Sequence, residues 1–325
     1  MMVPVVPAAA QDMSFDGYLQ LLMARARAEG VSEATLQRMT AGLEPNQRAI
    51  SLDRTQPGSS SGPGYPPLAP YIARHVDDAR INGGRREYRN YRSALAAIER
   101  EYGVPGEIVT AIWGHETAYG RVKGGFDLSQ ALATLAWEGR RRELFSSEWV
   151  ALMKVADKGY SRGELKGSWA GAFGNPQFLP SVYLRLAVDG DGDGRADIMN
   201  NERDALASIA NYFRDAGWRQ GQPWGVRAYV PSGFDVDRYR TKIEAPVCAR
   251  VHARHSQYKT VGEWRELGVQ PQRPLSSDTL VSLFQPDGPG TTAWLLTSNY
   301  RVILEYNCSN YYAMSVGLLA DEIAR

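Results

Sequence analysis

The chain has 325 residues, of which 43% are hydrophobic and 22% charged, and its formal net charge is +1. This length allows a large core in two or three units, and the composition is ordinary for a globular protein. The nearly balanced charge excludes a general basic surface for nucleic acid. Four His and two Cys are too few for a zinc centre of Cys and His, and no apolar run approaches a transmembrane span.

Residues 1–11 form a short apolar segment with three alanines at 8–10. The segment resembles the tail of a secretory signal, and cleavage after Ala10 would leave Gln11 at the mature end. We therefore expect an exported, periplasmic protein. No Cys follows the small residues, so we expect no lipid anchor. In an exported chain Cys248 and Cys308 can form a disulfide, or both can stay free.

The first hundred residues predict an all-helical unit. Apolar residues recur at helical spacing over 14–48 and again over 71–102. Ser32, followed by Thr35 and an apolar residue, is a predicted helix start. Between the two stretches, residues 55–70 are rich in Pro, Gly and Ser, which predicts a loop or linker.

The segment 108–120, I-V-T-A-I-W-G-H-E-T-A-Y-G, predicts a helix that carries a carboxylate toward the core. Pro105 suits a first helical position and Gly120 a stop. Ile112 lies on an apolar face that Glu116 continues, four residues later. Burial raises the pKa of a carboxyl, as a general acid near neutral pH requires. The alternative interpretation is a buried Glu held by a neighbouring Arg.

Two short helices are predicted at 129–137 and 145–159, separated by three arginines at 140–142. The arginines indicate a solvated face or, alternatively, a contact for an anionic substrate. A clear amphipathic helix follows at 203–216, and Gly217 ends it.

The segment 166–181, K-G-S-W-A-G-A-F-G-N-P-Q-F-L-P-S, combines closely spaced glycines with Ser168, Asn175 and Gln177. Glycine lets the backbone approach a ligand closely, and neutral amides and hydroxyls are suited to sugars. These features favour a sugar-binding loop. A glycine-rich loop that only turns the chain is the alternative.

The segment 189–197, D-G-D-G-D-G-R-A-D, predicts a calcium loop of the EF-hand type with Gly at position 6. Asn200 replaces the usual Glu at position 12, so Glu202 or Asp204 must close the site over a longer span. We interpret the ion as structural, because no second loop pairs with this one. An acidic surface turn is the alternative. The expected ligands in the loop itself are Asp189, Asp191, Asp193 and the carbonyl of Arg195.

The pattern changes in the last hundred residues. Short β-rich pieces such as 246–252 and 279–284 predict a small sheet unit. Residues 293–306 are apolar and fit a strand or a helix, while 312–323 predict a closing helix. The run Y-N-C-S-N-Y-Y at 306–312 is interpreted as a wall of a site or as a solvated helix cap.

Together these segments resemble the lytic murein transglycosylase B family, whose core is similar to goose-type lysozyme. The resemblance runs from about Phe15 to the C-terminus. It rests on G-V-P at 103–105, W-G-H-E-T-A-Y-G-R at 113–121, A-L-A-T-L-A at 131–136, R-R-R-E-L-F at 140–145, the two loops quoted above, A-N-Y-F at 210–213 and R-V-I-L-E-Y-N-C-S-N-Y-Y-A-M at 301–314.

The resemblance implies a mainly α (α+β) fold. A helical domain is expected at 12–100 and a lysozyme-like helical core with the calcium loop at 101–232. A small antiparallel β domain is expected at 233–297, after which the chain returns to the core at 298–325.

The resemblance also implies the site. Glu116 matches the single catalytic acid/base, and Asp204 matches the closing ligand of the structural calcium ion. No organic cofactor is expected. The residues expected to line the sugar cleft are Ser168, Gln177, Phe178, Tyr212, Tyr306, Asn307 and Tyr312, with Arg141 and Arg142 near it.

The implied function is lytic cleavage of the MurNAc-β-1,4-GlcNAc bond of peptidoglycan, with intramolecular formation of 1,6-anhydro-N-acetylmuramic acid. One strong carboxylate fits this chemistry better than hydrolysis, which usually needs two. The alternatives are a lysozyme-type hydrolase and a catalytically silent peptidoglycan-binding scaffold. We expect a monomer whose partner is the glycan strand, with cell-wall synthesis or remodelling proteins as further candidates and no nucleic acid.

Overall fold

The computed structural model describes residues 13–56, 67–242, 245 and 247–325. The signal-like segment 1–11 and most of the predicted linker at 55–70 lie outside the described residues. Within those ranges the chain forms fifteen α-helices and seven short strands, which confirms the mainly α prediction with a small antiparallel sheet. None of the helices described combines the length and the apolar character that crossing a membrane requires.

The helices, in chain order, are α1 (Phe15–Ala28), α2 (Glu33–Thr40), α3 (Gln47–Arg54), α4 (Leu68–His75), α5 (Asp78–Asn90), α6 (Arg92–Tyr102), α7 (Gly106–Thr117), α8 (Leu128–Glu138), α9 (Arg142–Asp157), α10 (Pro180–Leu186), α11 (Glu202–Asp215), α12 (Ala249–His252), α13 (Val261–Glu266), α14 (Ser298–Tyr306) and α15 (Asn310–Ile323). The strands are β1 (Phe126–Asp127), β2 (Lys166–Gly167), β3 (Gly225–Tyr229), β4 (Lys259–Thr260), β5 (Gln270–Pro271), β6 (Leu280–Phe284) and β7 (Ala293–Leu296).

The chain divides into two compact units. The first unit comprises Met1–Ser60 and Gly120–Ala205, and the second comprises Ser61–Tyr119 and Leu206–Arg325. The finer division predicted from the sequence, with boundaries near 100, 232 and 297, stays a prediction.

The first unit is built around the antiparallel pair α8 and α9, against which α1, α2, α3 and α10 pack. Trp149 and Phe145 of α9 are almost inaccessible to solvent and fill the centre of this unit. The predicted helix start at Ser32 is confirmed, because its side chain accepts a hydrogen bond from the Thr35 N–H at the beginning of α2. The strands β1 and β2 form an antiparallel pair.

The second unit places α7 among α5, α6 and α15. Helix α7 is buried on nearly all sides, with Val109 and Ile112 wholly inaccessible, so its apolar face is wider than the predicted stripe. The sheet has the antiparallel strand order β4-β6-β7-β3-β5. Its own core centres on Trp264, packed with Leu283 and Leu295.

Helix α7 ends earlier than the sequence predicts. Its last residue is Thr117, and both Ala118 and Tyr119 adopt left-handed backbone angles before Gly120 does. The cause is the packing of Tyr119, whose hydroxyl donates to the Arg80 carbonyl at 2.7 Å. A Cβ added to Gly114 would lie 2.6 Å from the Tyr119 ring, so the missing side chain at Gly114 makes room for this turn.

The strand predicted at 246–252 is wrong where the structure describes it, because residues 249–252 form the helical turn α12. Cys248 precedes α12 in a left-handed conformation and is bridged to Cys308. The Asn310 side chain also donates to the Val251 carbonyl at 3.0 Å. These tertiary contacts hold in a helical turn a segment whose sequence alone favours an extended strand. Pro246 lies outside the described residues.

The other predictions for the C-terminal part are confirmed. Strand β6 matches the piece predicted at 279–284, and α15 matches the closing helix. The ambiguous apolar segment at 293–306 contains both structures, since β7 is followed directly by α14.

Candidate active site

Glu116 lies in the last turn of α7, in the second unit. The Tyr312 hydroxyl of α15 donates to Glu116 Oε1 at 2.6 Å. Burial raises the pKa of Glu116 to about 7, and the Tyr312 hydrogen bond opposes this shift. Among the described residues Glu116 forms no ion pair, which removes the alternative of a structural Glu–Arg pair.

Two further predicted residues, Tyr212 and Tyr306, lie beside this pair. Their ring centroids are 4.7 Å apart and their planes are nearly perpendicular. The Tyr212 hydroxyl donates to the Glu305 carbonyl at 2.9 Å, which fixes its ring on α14. Burial, followed by the charge of Glu116, raises the pKa of Tyr306 well above its usual value. Both effects keep the phenol neutral.

Asn307 ends α14 on the surface. Its backbone carbonyl accepts from the Ser309 N–H at 2.6 Å, and the Ser309 side chain caps α15 by accepting from the Tyr312 N–H. The side-chain amide of Asn307 has no hydrogen-bond partner in the described part of the chain. The turn between α14 and α15 is tied by the Cys248–Cys308 disulfide.

Tyr71 of α4 belongs to the same site, although no sequence motif indicates a role for it. Burial is the main cause that raises the pKa of Tyr71, a hydrogen bond with Ser315 opposes the shift, and the Glu116 charge adds to it, which places the phenol close to that carboxyl. Its ring stacks on His75 at 3.9 Å and faces Tyr311 at 5.7 Å. The four-residue spacing of Tyr71 and His75, which puts both on one helix face, was the available signal.

His115, directly before Glu116, was also missed. Its Nδ1 lies 3.0 Å from the Ala111 carbonyl oxygen, and its Nε2 lies 2.7 Å from Ser315 Oγ on α15. Burial lowers the pKa of His115 to about 3. The imidazole is therefore neutral at any pH at which the fold is expected to work.

Three predicted substrate-binding residues lie in the glycine-rich loop of the first unit. Ser168 Oγ accepts from the Ala172 N–H at 3.0 Å, and a Cβ at Gly167 would lie 2.2 Å from the Ala172 carbonyl oxygen. The Gln177 amide nitrogen donates to the Gly174 carbonyl at 2.9 Å. Phe178 is only 3% exposed. Its contact with a sugar stays a prediction.

Arg141 and Arg142 contact residues of their own unit. Arg141 forms an ion pair with Asp53, which is 1% exposed. The Arg142 guanidinium lies 5.0 Å from the Tyr18 ring centroid. Arg140 pairs with the same carboxylate at 3.4 Å. Because a buried carboxylate needs a paired cation, Arg140 and Arg141 together have a structural role.

The acidic loop of the first unit gathers oxygen ligands. Carboxylate oxygens of Asp189, Asp193 and Asp204 all lie within 4.8 Å of one another. Asp204 is wholly buried and accepts from the Gly190 N–H at 2.8 Å, which fixes the closing carboxylate beside the start of the loop. Three hard oxygen donors in this spacing fit a calcium ion.

Two other predicted ligands have contacts of their own. Asp191 accepts from the Asn201 side-chain amide at 2.8 Å. The Arg195 guanidinium lies 4.0 Å from the Tyr160 ring centroid, which turns the side chain to the ring and leaves its carbonyl as the candidate ligand.

Comparison with known proteins identifies the family of the chain. The family profile described as Transglycosylase SLT domain matches residues 14–321. Membrane-bound lytic murein transglycosylase B of Escherichia coli (strain K12) is 34% identical over 262 residues. The match covers 78% of this chain and 66% of that relative, slightly less than two thirds of its length.

Solved structures of similar proteins cover more of the chain. SltB3 of Pseudomonas aeruginosa, in complex with NAG-anhNAM-pentapeptide, has a TM-score of 0.86 at 36% identity, over 96% of this chain and 80% of that one. Escherichia coli Slt35 in complex with calcium has a TM-score of 0.79 at 29% identity, over 100% of this chain and 98% of that one. The chain therefore belongs to the Transglycosylase SLT domain family.

Proposed function

We propose that this chain cleaves the MurNAc-β-1,4-GlcNAc bond of peptidoglycan and releases a 1,6-anhydro-muramoyl product. Its family and the named activity of its relatives support the proposal. The observation that carries it is the half-buried Glu116 carboxyl, whose pKa desolvation raises to about 7. A carboxyl with this pKa can donate a proton and then accept one near neutral pH.

In the first step protonated Glu116 gives its proton to the glycosidic oxygen while the C1–O bond breaks, and N-acetylglucosamine leaves with a new hydroxyl. The positive charge that develops at C1 of the muramoyl sugar is stabilised by its acetamido oxygen or by nearby protein dipoles. The Glu116 carboxylate then takes the proton of the C6 hydroxyl as its oxygen bonds to C1. No water is consumed, and Glu116 returns to its protonated form.

The Tyr312 phenol suits this cycle. It donates to Glu116 Oε1 at 2.6 Å and so favours the carboxylate that the first step produces. Burial raises the pKa of Tyr312 well above its usual value, with a further contribution from the Glu116 charge. The phenol therefore stays a neutral donor in both halves of the reaction.

We assign the remaining predicted residues to substrate binding. Tyr212 and Tyr306 offer aromatic surface for a sugar ring, and the exposed amide of Asn307 is available to hydrogen-bond it. In the first unit, both hydrogen bonds of the Gln177 side chain use its amide nitrogen, so its oxygen is left to accept from a hydroxyl. The family resemblance adds Ser168, Phe178, Arg141 and Arg142.

The decisive experiment is mass spectrometry of the products released from purified sacculi. We expect anhydro-muropeptides from the wild-type chain. A lysozyme-type hydrolase would instead release products heavier by one water. A silent binding protein would release nothing, and either of these results would overturn the proposal.

We propose, in addition, that the acidic loop binds one structural calcium ion through Asp189, Asp191, Asp193, the Arg195 carbonyl and Asp204. The spacing of the three gathered carboxylates supports this, as does the calcium complex of a similar structure. The ion would neutralise charges that otherwise repel each other and would join the loop to the first turn of α11.

We propose a periplasmic location for the working protein. The signal-like N-terminal sequence, the disulfide and the cell-wall relatives support it. Fractionation of cells that express a C-terminally tagged chain tests it, and recovery of the tag with the cytosolic fraction would contradict it.

A further inference from the structure

Two hydrogen bonds connect α7 with α15, one helical turn apart. The first joins Tyr312 to Glu116 at 2.6 Å, and the second joins Ser315 to His115 at 2.7 Å. Glu116 directly follows His115, and Ser315 lies three residues after Tyr312, on the same side of α15. The second bond therefore supports the two backbones on which the first depends.

The direction of the second hydrogen bond follows from its acceptors. The Ala111 carbonyl can only accept, so His115 Nδ1, 3.0 Å away, carries the proton. The ring is neutral because burial lowers the pKa of His115 to about 3. His115 Nε2 is then an acceptor, and the Ser315 hydroxyl must donate to it.

Ser315 also links His115 to the residue that carries the phenol. Its hydroxyl lies 2.7 Å from His115 Nε2 and 2.8 Å from the carbonyl oxygen of Tyr312. The single hydroxyl proton can be donated to only one of these acceptors at a time, and the Tyr71 phenol hydrogen-bonds to the same side chain. Because Ser315 has no exposed surface, water does not compete for that proton.

The groups that face His115 keep it a fixed hydrogen-bonding residue rather than a proton carrier. From α4, the His75 ring lies nearly parallel at 6.3 Å, and from α15 the Tyr312 ring meets it edge-on at 5.6 Å. From α5, the positive charge of Arg80 also lowers the pKa of His115. Glu116, the nearest carboxylate on α7, bonds to Tyr312 instead.

We propose that His115 and Ser315 are positioning residues for the proton-transfer step: their hydrogen bond fixes α15 against α7 and holds the Tyr312 phenol on the Glu116 carboxyl. The proposal rests on the acid/base role of Glu116 given above. If the His115–Ser315 hydrogen bond is lost, the Tyr312 phenol can move away from Glu116. The carboxylate form of Glu116, which must accept the C6 proton, is then less stable.

The test uses Ser315→Ala and His115→Leu with kinetics on a soluble glycan across pH. We expect kcat to fall about tenfold with little change in KM, since a misplaced phenol affects the reacting state rather than binding. The alkaline limb of kcat/KM, which reports the Glu116 pKa in the free enzyme, should move up by about half a pH unit, because the phenol no longer lowers that pKa.

Two comparison variants separate positioning from simple packing. His115→Gln places an amide near the position of Nε2, and we expect it to recover most of kcat. Thr110→Val removes another buried hydroxyl of α7, which donates to the Gly106 carbonyl at 2.8 Å. We expect this control to lower the melting temperature slightly and to leave the alkaline limb where it is.

Tyr312→Phe provides the reference shift, and the Tyr312→Phe/Ser315→Ala double variant should move the limb no further than Tyr312→Phe alone. A wild-type limb and kcat in Ser315→Ala, or equal losses in His115→Leu and His115→Gln, would overturn the positioning role. Wild-type turnover by Glu116→Gln would instead overturn the proposed function itself, so the two failures are distinguishable.

Discussion

Two carboxylate sites of this chain hold the same chemical group in opposite settings. Glu116 is half-buried in the second unit with one hydrogen-bond donor, and desolvation raises its pKa to about 7. Asp189 lies in an exposed loop of the first unit and accepts from the Gly192 and Gly194 N–H groups, which lower its pKa. Desolvation dominates at the first site and backbone donors dominate at the second.

The contrast shows that the surrounding residues, not the carboxylate, select the chemistry. An apolar helix excludes water and raises the pKa of its carboxyl to about 7, the range that a general acid near neutral pH requires. Alternating glycines expose backbone N–H groups, which stabilise the ionised form of an Asp side chain. A hard cation requires such ionised carboxylates as ligands. Each of the following experiments removes one side of the contrast.

The largest effect is expected from Glu116→Gln, which keeps the shape of the side chain but cannot transfer a proton. We expect turnover of purified sacculi to fall by about 10³-fold, within the range for general acid–base catalysis. Glu107→Gln, on the first turn of the same helix, is the matched control and should keep near wild-type turnover. Substantial activity in Glu116→Gln would mean that another residue acts as the general acid.

The next effect concerns the acidic loop. Calcium at about 100 times its Kd should stabilise the fold by about 2.7 kcal/mol, which corresponds to a rise in melting temperature of roughly 5 °C. Calorimetry with calcium and with a chelator measures it. We expect Asp204→Ala to abolish the rise and Glu202→Ala to keep it, because only Asp204 lies with Asp189 and Asp193. An identical melting curve in calcium and in chelator would mean that the loop does not bind calcium.

A smaller effect concerns stability and pH. The folded-state pKa of Glu116 is raised from 4.5 to about 7, so its contribution to stability is present below pH 4.5 and is lost as the pH rises toward 7. Glu116→Gln has no such loss. We expect it to gain about 1–3 kcal/mol over wild type at pH 8 relative to pH 4. Urea unfolding measures the free energy of unfolding of both proteins. The same difference between Glu116→Gln and wild type at pH 4 and at pH 8 would contradict the raised pKa.

The smallest effect is a backbone test of the loop. Gly194 has a φ of 93° and a Cβ there would meet nothing within 4 Å, so Gly194→Ala isolates the strain of a left-handed conformation. We expect a loss of about 1 kcal/mol in the calcium-bound form. Gly163→Ala, at an ordinary backbone angle in the same unit, should be neutral or slightly stabilising. Equal results for both variants would mean that the loop does not need this conformation.

The helical part of the fold was predictable because its signals are local. The spacing of apolar residues and the cap at Ser32 lie within a few residues of the helices they define. The end of α7 was not predictable, because it depends on Tyr119 filling the space beside Gly114. The turn at 249–252 depends in the same way on a partner 60 residues away along the chain.

The site residues also differ in whether local sequence or only tertiary packing reveals them. Glu116 and the acidic loop stand out because each has its context in adjacent residues. Tyr71 and Ser315 do not, because only the packing of α4 and α15 brings Tyr71 near the Glu116 carboxyl and Ser315 to His115. His115 could be read as an ordinary helix residue until its partner on another helix was known.

The bridge between Cys248 and Cys308 has a consequence for where the protein matures. It closes a loop across 60 positions of sequence, and such a closure typically adds about 2–4 kcal/mol by restricting the unfolded chain. A newly made copy in a thiol-rich cytosol lacks the disulfide, and the turn after Tyr306 is then not cross-linked to the segment before α12. We therefore expect the protein to reach its full stability only in an oxidising compartment outside the cytosol.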